Sequence, residues 1–208
     1  MRLNRICVVT SKAGAYYALV SRLREAGLPF ESVLPGSDHR GCELVLTTKD
    51  EAGHFGGRAL VLEELDGDSG VFKGQIVSRL EEGEDVIFVG VDPGVRTGLA
   101  VYYGRTPLAF DTFDSPGPLC AKIRAFAVKL PDRRFVLRIG DGNPRMAEEL
   151  ARMLKATVPE AAVEIVDEKG TSVRTPGMKG VQGDQRAASR IAFRKGEVVG
   201  SARPRSRA

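Results

Sequence analysis

Four acidic residues are placed in the sequence where their side chains could meet at one edge of a folded sheet. Three follow apolar, strand-like runs and the fourth begins a helical pattern; they are Asp92, Asp141, Glu168 and Asp184. Carboxylate oxygens are the ligands that Mg²⁺ and Mn²⁺ prefer in proteins. Two such ions, about 4 Å apart, can promote attack of water on a phosphodiester without any His or Cys. The sequence therefore predicts a catalytic metal site built from these four acids.

Three of the acids also have an ordinary structural interpretation. Asp92 begins the turn sequence Asp-Pro-Gly, which these residue types form readily. Asp141 could be a turn acid or the N-cap of the helix that follows it. Glu168, preceded by Asp167, could belong to a solvated loop end. For each of these residues taken alone, both interpretations stay open.

Asp184 carries the best local evidence for a site. It recurs with Ala187, Ala188 and Ile191 at the spacing i, i+3, i+4 and i+7, which places it on the apolar face of a helix. A carboxylate on a buried face is costly unless it is paired or bound to metal. The alternative is that Asp184 caps the start of this helix, where a carboxylate is harmless.

The elements that must position these acids follow the order βββαβαβα from residue 84 onwards. Strands are predicted at 86–91, 99–103, 108–113, 135–139 and 163–166, and helices at about 119–129, 145–156 and 184–195. Such an order implies an α/β fold in which helices pack on the faces of a mixed sheet. We expect this domain to span residues 84–197, followed by a basic tail at 198–208.

Residues 1–83 are predicted to form a separate, small α/β domain of unknown role. Strand-like runs at 5–10, 30–34, 44–48 and 59–62 alternate with helical patterns at 13–26 and about 70–82. The polar stretch at 81–85 precedes the strongest strand of the chain, and this places the domain boundary near residue 83.

Composition limits the classes of partner. The chain has 31 Lys and Arg against 27 Asp and Glu and a pI near 9.1, which favours a polyanionic partner. Three separated cysteines and two histidines show no zinc-ligand spacing. No apolar run approaches the roughly 20 residues that cross a bilayer, so we expect no membrane association and a cytoplasmic location.

Three segments resemble a known family. The segment Gly-Val-Asp-Pro-Gly-Val-Arg-Thr-Gly-Leu-Ala-Val at 90–101 resembles the first catalytic motif of RuvC-type Holliday-junction resolvases and of YqgF-like nucleases. Asp-Glu-Lys-Gly-Thr-Ser at 167–172 is similar to a segment of the YqgF group. Gly-Asp-Gln-Arg-Ala-Ala-Ser-Arg-Ile-Ala at 183–192 resembles the closing helix of both groups. The resemblance covers roughly residues 86–195 and leaves the N-terminal domain outside.

The resemblance implies a ribonuclease-H-like fold and a role for each acid. Asp92 and Asp184 would be the first and last metal-binding acids of a site for Mg²⁺ or Mn²⁺. The resolvase pattern implies that the middle acid is Asp141, although that family has Glu there, whereas the YqgF pattern implies Glu168. The glycine after the threonine also lies one residue closer to Asp92 than in the resolvase form. Both acids stay candidates.

The expected activity is metal-dependent endonucleolytic cleavage of structured nucleic acid, either branched DNA of the Holliday-junction type or RNA. Six basic residues are candidates for contacting its phosphates: Arg96, Lys169, Arg174, Lys179, Arg186 and Arg190. The stretch between Glu168 and Asp184 could equally be a solvated loop. A resolvase-like cut of two symmetric strands would favour a homodimer.

Two other functions fit parts of the pattern. A catalytically weak nucleic-acid-binding protein of the same fold, acting in RNA processing or transcription, would use the same basic residues. Retained acids argue against it, because a pure binder gains nothing from buried negative charge near phosphate. An ATP-binding protein related to actin and sugar kinases also begins with Asp-x-Gly after a strand, but its site needs two copies of the fold, and residues 1–83 lack a second such motif.

Overall fold

A computed structural model of the chain describes residues 6–81, 85–168 and 183–199. The chain forms two compact units, residues 1–82 and 83–208, a division one residue from the expected one. No helix within the described residues is long and apolar enough to cross a membrane.

The first unit, over residues 6–81, is a four-stranded parallel sheet with two helices. Its strands are β1 (Ile6–Val8), β2 (Glu31–Ser32), β3 (Leu44–Thr47) and β4 (Ala59–Val61), and its helices are α1 (Ala13–Glu25) and α2 (Ser69–Leu80). The strand order is β2-β1-β3-β4, and every neighbouring pair is parallel. Three single turns of 3₁₀ helix lie between β3 and α2. An α/β architecture is confirmed for this unit.

Both helices of the first unit are placed by apolar residues at helical spacing. Leu19 and Leu23 of α1 and Phe72 and Ile76 of α2 are buried in one core with the central strands. The start of α2 is fixed by Asp68, whose carboxylate accepts hydrogen bonds from two backbone amides of the first turn. The sheet is therefore covered on this face by a helix pair.

A disulfide links Cys7 in β1 to Cys42, two residues before the neighbouring strand β3. The two cysteines are 35 residues apart in sequence, and no spacing motif predicts their pairing. Cys120 is free. Disulfides are uncommon in reducing compartments such as the cytoplasm, so this one lends no support to the expected location. The cytoplasmic location stays a prediction.

In its described residues, the second unit contains a six-stranded mixed sheet and three helices. Its strands are β5 (Val86–Asp92), β6 (Thr97–Tyr103), β7 (Thr106–Phe113), β8 (Arg134–Gly140), β9 (Ala162–Val166) and β10 (Glu197–Val198). Its helices are α3 (Pro116–Lys129), α4 (Pro144–Thr157) and α5 (Gly183–Ala192). The predicted order βββαβαβα is confirmed, and the added strand β10 follows it.

The sheet is antiparallel on one side of β5 and parallel on the other. The strand order is β10-β9-β8-β5-β6-β7, with β5, β8 and β9 parallel and β6 antiparallel to both of its neighbours. The hairpin between β6 and β7 turns at Gly104, whose φ of 53° lies in the left-handed region that favours glycine. The first strand of the unit thus lies at the centre of the sheet.

Helix α5 packs on one face of this sheet, with its backbone directly against the backbone of β5 and β6. A Cβ atom at Gly90 of β5 would clash with the carbonyl oxygen of Ala188, and one at Gly98 of β6 would clash with the carbonyl oxygen of Asp184. Glycine at these two positions is therefore what lets α5 approach. Helices α3 and α4 pack on each other and on strands β7 to β9.

The last described elements of the second unit differ from those predicted. Helix α5 ends at Ala192 rather than near residue 195, and residues 197–198 pair with β9 as the antiparallel edge strand β10. The predicted tail at 198–208 therefore begins inside a strand pair, and its residues 200–208 lie outside the described residues. Sequence periodicity could not find β10, because two residues carry no pattern.

Candidate functional site

Asp92 is the last residue of β5, the central strand. It pairs with Gly98 of β6 on one side, and on the other side β5 runs parallel to β8 up to the pair of Val91 with Ile139. Side chains alternate along a strand, so Asp92 points to the same face as Gly90, the face on which α5 packs. The structure thus directs this half-buried carboxylate towards α5.

Asp184 reaches the site because α5 begins directly above Gly98. A Cβ atom at Gly98 would lie 3.2 Å from the Cβ atom of Asp184. Since Gly98 is the partner of Asp92 across the hairpin, Asp184 stands beside Asp92 on the same face of the sheet. Ala188 and Ile191, at the spacing i+4 and i+7 from Asp184, are buried. The predicted apolar face of this helix is confirmed.

Glu168 approaches from the other side of Asp92. It lies two residues beyond β9, and its carboxylate stands over Gly140, the last residue of β8, where a side chain would clash with it. Its Oε1 atom accepts a hydrogen bond from the backbone amide of Gly142 at 3.0 Å. The side chain of Ile191 in α5 contacts the same space over Gly140, so Glu168 lies on the α5 face.

The charges of these three acids interact. Burial, together with the negative charges of Glu168 and Asp184, raises the pKa of Asp92 to about 6. A half-buried carboxylate with two other acids nearby is a typical electrostatic feature of functional sites. We refer to Asp92, Glu168 and Asp184 as the acid cluster.

Asp141 has a different environment. Its Oδ1 atom accepts a hydrogen bond from the backbone amide of Glu168 at 3.0 Å, and its own amide donates to the carbonyl oxygen of Val166 at 3.0 Å. It does not cap α4, because Asn143 does so by accepting from the amide of Met146. The interpretation of Asp141 as the N-cap of α4 is therefore wrong.

The acid cluster contains the type of ligand that divalent metal ions prefer, but its side chains do not form a complete coordination shell. Its donors are carboxylate oxygens, and burial together with the negative charges of Glu168 and Asp184 raises the pKa of Asp92; a cation would offset those charges. Within the described residues, no three His, Cys, Asp or Glu side chains are grouped closely enough to hold a metal ion. Binding of Mg²⁺ or Mn²⁺ would require the three side chains to move closer together.

The predicted phosphate-contacting residues are only partly described. Arg96 lies in the exposed turn after Asp92, where its guanidinium pairs with Asp114 at 3.2 Å. Arg186 and Arg190 lie on the exposed side of α5. The other three candidates, Lys169, Arg174 and Lys179, lie outside the described residues.

Sequence reasoning missed a buried ion pair that anchors α5. Arg138 of β8 pairs with Glu164, its neighbour in β9, at 2.9 Å and donates to the carbonyl oxygen of Ala192 at 2.7 Å. It also lies over the ring of Phe88. An arginine inside an apolar strand was the available signal, since charged residues are rarely buried unless paired.

A second contact joins the end of α5 to the segment of Glu168. Arg194 donates a hydrogen bond to the carbonyl oxygen of Asp167 at 2.6 Å. The hydroxyl of Tyr102 in β6 also donates to Ser189 of α5 at 3.0 Å, and both side chains are buried. Helix α5 and the residues just after it are therefore hydrogen-bonded both to β6 and to the segment that carries Glu168.

Comparisons with family models, with curated proteins and with solved structures find no match for this chain.

Proposed function

We propose that the second unit is a metal-dependent nuclease of the ribonuclease-H-like class, which hydrolyses phosphodiester bonds of structured nucleic acid. The observation that carries the proposal is the acid cluster. Asp92 at the end of the central strand lies between Asp184, over one neighbouring strand, and Glu168, over the other. Random surface acids do not converge in this way, because like charges repel and half-burial adds a desolvation cost.

The fold of the second unit supports the same proposal. A mixed sheet with the order βββαβαβα is the arrangement that the sequence resemblance implies. The first unit has a parallel sheet with a different strand order, so the described residues do not hold two copies of one fold. That difference counts against the two-lobed ATP-binding alternative.

The distribution of charge supports a polyanionic partner for the second unit. Residues 1–82 carry ten Lys and Arg and twelve Asp and Glu, a net charge of −2. Residues 83–208 carry 21 Lys and Arg and 15 Asp and Glu, a net charge of +6. The positive charge of the chain therefore belongs to the unit that holds the acid cluster, as expected if this unit binds phosphates.

Asp92, Glu168 and Asp184 would hold Mg²⁺ or Mn²⁺, with Arg186 and Arg190 contacting the nucleic-acid backbone. A cation held by these residues would supply Lewis-acid chemistry for the attack of water on phosphorus and the departure of the leaving oxygen. Branched DNA and RNA are both proposed substrates, and a homodimer would suit paired cuts in a symmetric junction.

Cleavage assays with the full chain test this proposal. We would incubate labelled DNA junctions, duplexes, flaps and single strands, and their RNA counterparts, with Mg²⁺ or Mn²⁺. We expect cutting of at least one substrate, abolished by EDTA. The matched variants are Asp92→Asn, which removes a charge from the acid cluster, and Asp132→Asn, which removes an exposed charge before β8, at the opposite end of that strand from Asp141.

The result should separate the two variants. Asp92→Asn should lower the cleavage rate by at least about a hundredfold while keeping binding, whereas Asp132→Asn should cut like the wild type. Cutting by both variants at the same rate would overturn the proposed role of Asp92. Failure of the folded wild type to cut any substrate would overturn the nuclease.

A second function, nucleic-acid binding with little cleavage, is favoured by one observation. Within the described ranges, the acids do not form a closed metal-binding group. A binder in RNA processing or transcription would use the basic surface of the second unit. In the same assays it would bind RNA or DNA with equal affinity with and without EDTA and cut neither.

A further inference from the structure

The hydrogen bonds between Asp141 and Glu168 connect the two candidates for the middle acid of the site. The backbone amide of Glu168 donates to Oδ1 of Asp141, and the amide of Gly142, next to Asp141, donates to Oε1 of Glu168. Both distances are 3.0 Å. The two segments thus exchange hydrogen bonds in both directions at the end of the β8 and β9 pair.

We infer that Asp141 is a positioning residue, which holds Glu168 in place for the metal and is not itself a metal ligand. This inference rests on the proposed function, since it assumes that the acid cluster binds a divalent cation. It assigns the two acids to different roles, where the sequence left both as candidates for one role.

The geometry separates these roles. The Asp141 carboxylate is directed at the backbone amide of Glu168, whereas the Glu168 carboxylate lies over Gly140 on the face of the sheet that also holds Asp92 and Asp184. Glu168 is held at its backbone by Asp141 and at its carboxylate by Gly142, over the space left by Gly140.

The segment before Glu168 is held as well. The amide of Asp141 extends the β8 and β9 pairing by donating to Val166, and Arg194 donates to the carbonyl oxygen of Asp167. Three consecutive residues, 166 to 168, therefore have a backbone hydrogen bond to a neighbouring segment. Loss of the Asp141 acceptor would release the last of these, the residue that carries the ligand.

Two substitutions at Asp141 distinguish positioning from ligation. Asp141→Asn keeps an oxygen that can accept from the amide of Glu168 but removes the negative charge. Asp141→Ala removes both. Glu168→Gln serves as the reference for loss of a ligand charge, and Asp132→Ala serves as the control for loss of an exposed acid.

The first measurement is Mn²⁺ affinity of the full chain by titration calorimetry, with Mn²⁺ alone as the probe. We expect Asp141→Asn to bind Mn²⁺ within about threefold of the wild type, and Asp141→Ala to bind about ten- to a hundredfold more weakly. Equal loss of affinity in Asp141→Asn and Glu168→Gln would overturn the inference, because only a ligand needs the charge.

The second measurement is hydrogen exchange of the Glu168 amide without added metal, and it does not depend on the nuclease proposal. This amide should be protected in the wild type and in Asp141→Asn and exchange at least tenfold faster in Asp141→Ala. Unchanged exchange in Asp141→Ala would overturn the positioning role. If the wild type takes up no Mn²⁺, the proposed function fails, and amide exchange still decides whether Asp141 holds Glu168.

Discussion

The backbone of Asp184 lies directly against Gly98, the residue that pairs with Asp92 across the β5 and β6 hairpin. No side chain stands between the helix and the strand at this point. The distance between Asp92 and Asp184 therefore depends on the absence of a Cβ atom at Gly98. A residue distant from both acids would not control their separation in this way.

Gly98→Ala should displace the start of α5 and disturb the acid cluster. The added methyl group would overlap the carbonyl of Asp184, and overpacking of this kind costs about 1–3 kcal/mol. Urea unfolding and Mn²⁺ titration measure the two effects. Gly14→Ala is the matched control, because Gly14 is exposed in α1 with open space around it, and Ala there should stabilise by up to about 1 kcal/mol. Equal stability of both variants would contradict the packing argument.

Asp92→Asn should stabilise the protein at neutral pH. The folded-state pKa of Asp92, about 6, lies above its ordinary value of 3.8, so folding favours the protonated form. That contribution is present below pH 3.8 and is lost as the pH rises through 6. Because the side chain is half-exposed, we expect a gain for the Asn variant of about 1 kcal/mol, or about 2–4 °C in Tm, at pH 7–8.

The measurement for Asp92 is Tm against pH from 4 to 8. The advantage of Asp92→Asn over the wild type should shrink towards pH 4, and Mn²⁺ should raise the Tm of the wild type more than that of the variant. A variant less stable than the wild type at pH 8 would show that Asp92 has a partner that outweighs its burial.

Loss of Arg186 and Arg190 should weaken binding of nucleic acid and reduce its salt dependence. Each phosphate contact releases about one counterion, so the slope of log Kd against log salt should fall by about 1–2 in the double variant to Gln. Fluorescence anisotropy with labelled junction DNA and RNA at several salt concentrations measures this slope. Arg79→Gln, an exposed arginine at the end of α2 in the first unit, is the control and should keep the wild-type slope.

Reduction of the Cys7 and Cys42 disulfide should destabilise the first unit. A crosslink across 35 residues lowers the entropy of the unfolded chain by an amount worth roughly 3–4 kcal/mol in the simplest model. Thiol titration of the unfolded, unreduced protein should find one thiol, from Cys120, and three after reduction. Three thiols before reduction would mean that the pair is not formed in solution.

Much of the element order could be predicted from sequence because its signals are local. Apolar runs placed β5, β8 and β9 within one or two residues, and helical spacing placed α4 and the start of α5. The pairing of Cys7 with Cys42 and the contact of Arg138 with Ala192 could not be predicted. Both join segments far apart in sequence, and no local pattern encodes their approach.

The sequence by itself determined that Asp92, Asp141 and Glu168 follow strands and that Asp184 lies on an apolar helix face, because strand and helix periods are properties of neighbouring residues. Only the tertiary structure decided which of these acids meet. Asp141 and Glu168 follow neighbouring parallel strands, yet the Asp141 carboxylate accepts from the amide of Glu168, whereas the Glu168 carboxylate lies over Gly140 on the same face as Asp92 and Asp184. That division depends on the pairing of β8 with β9 and on the close approach of α5 to Gly98, two non-local contacts that each segment alone leaves open.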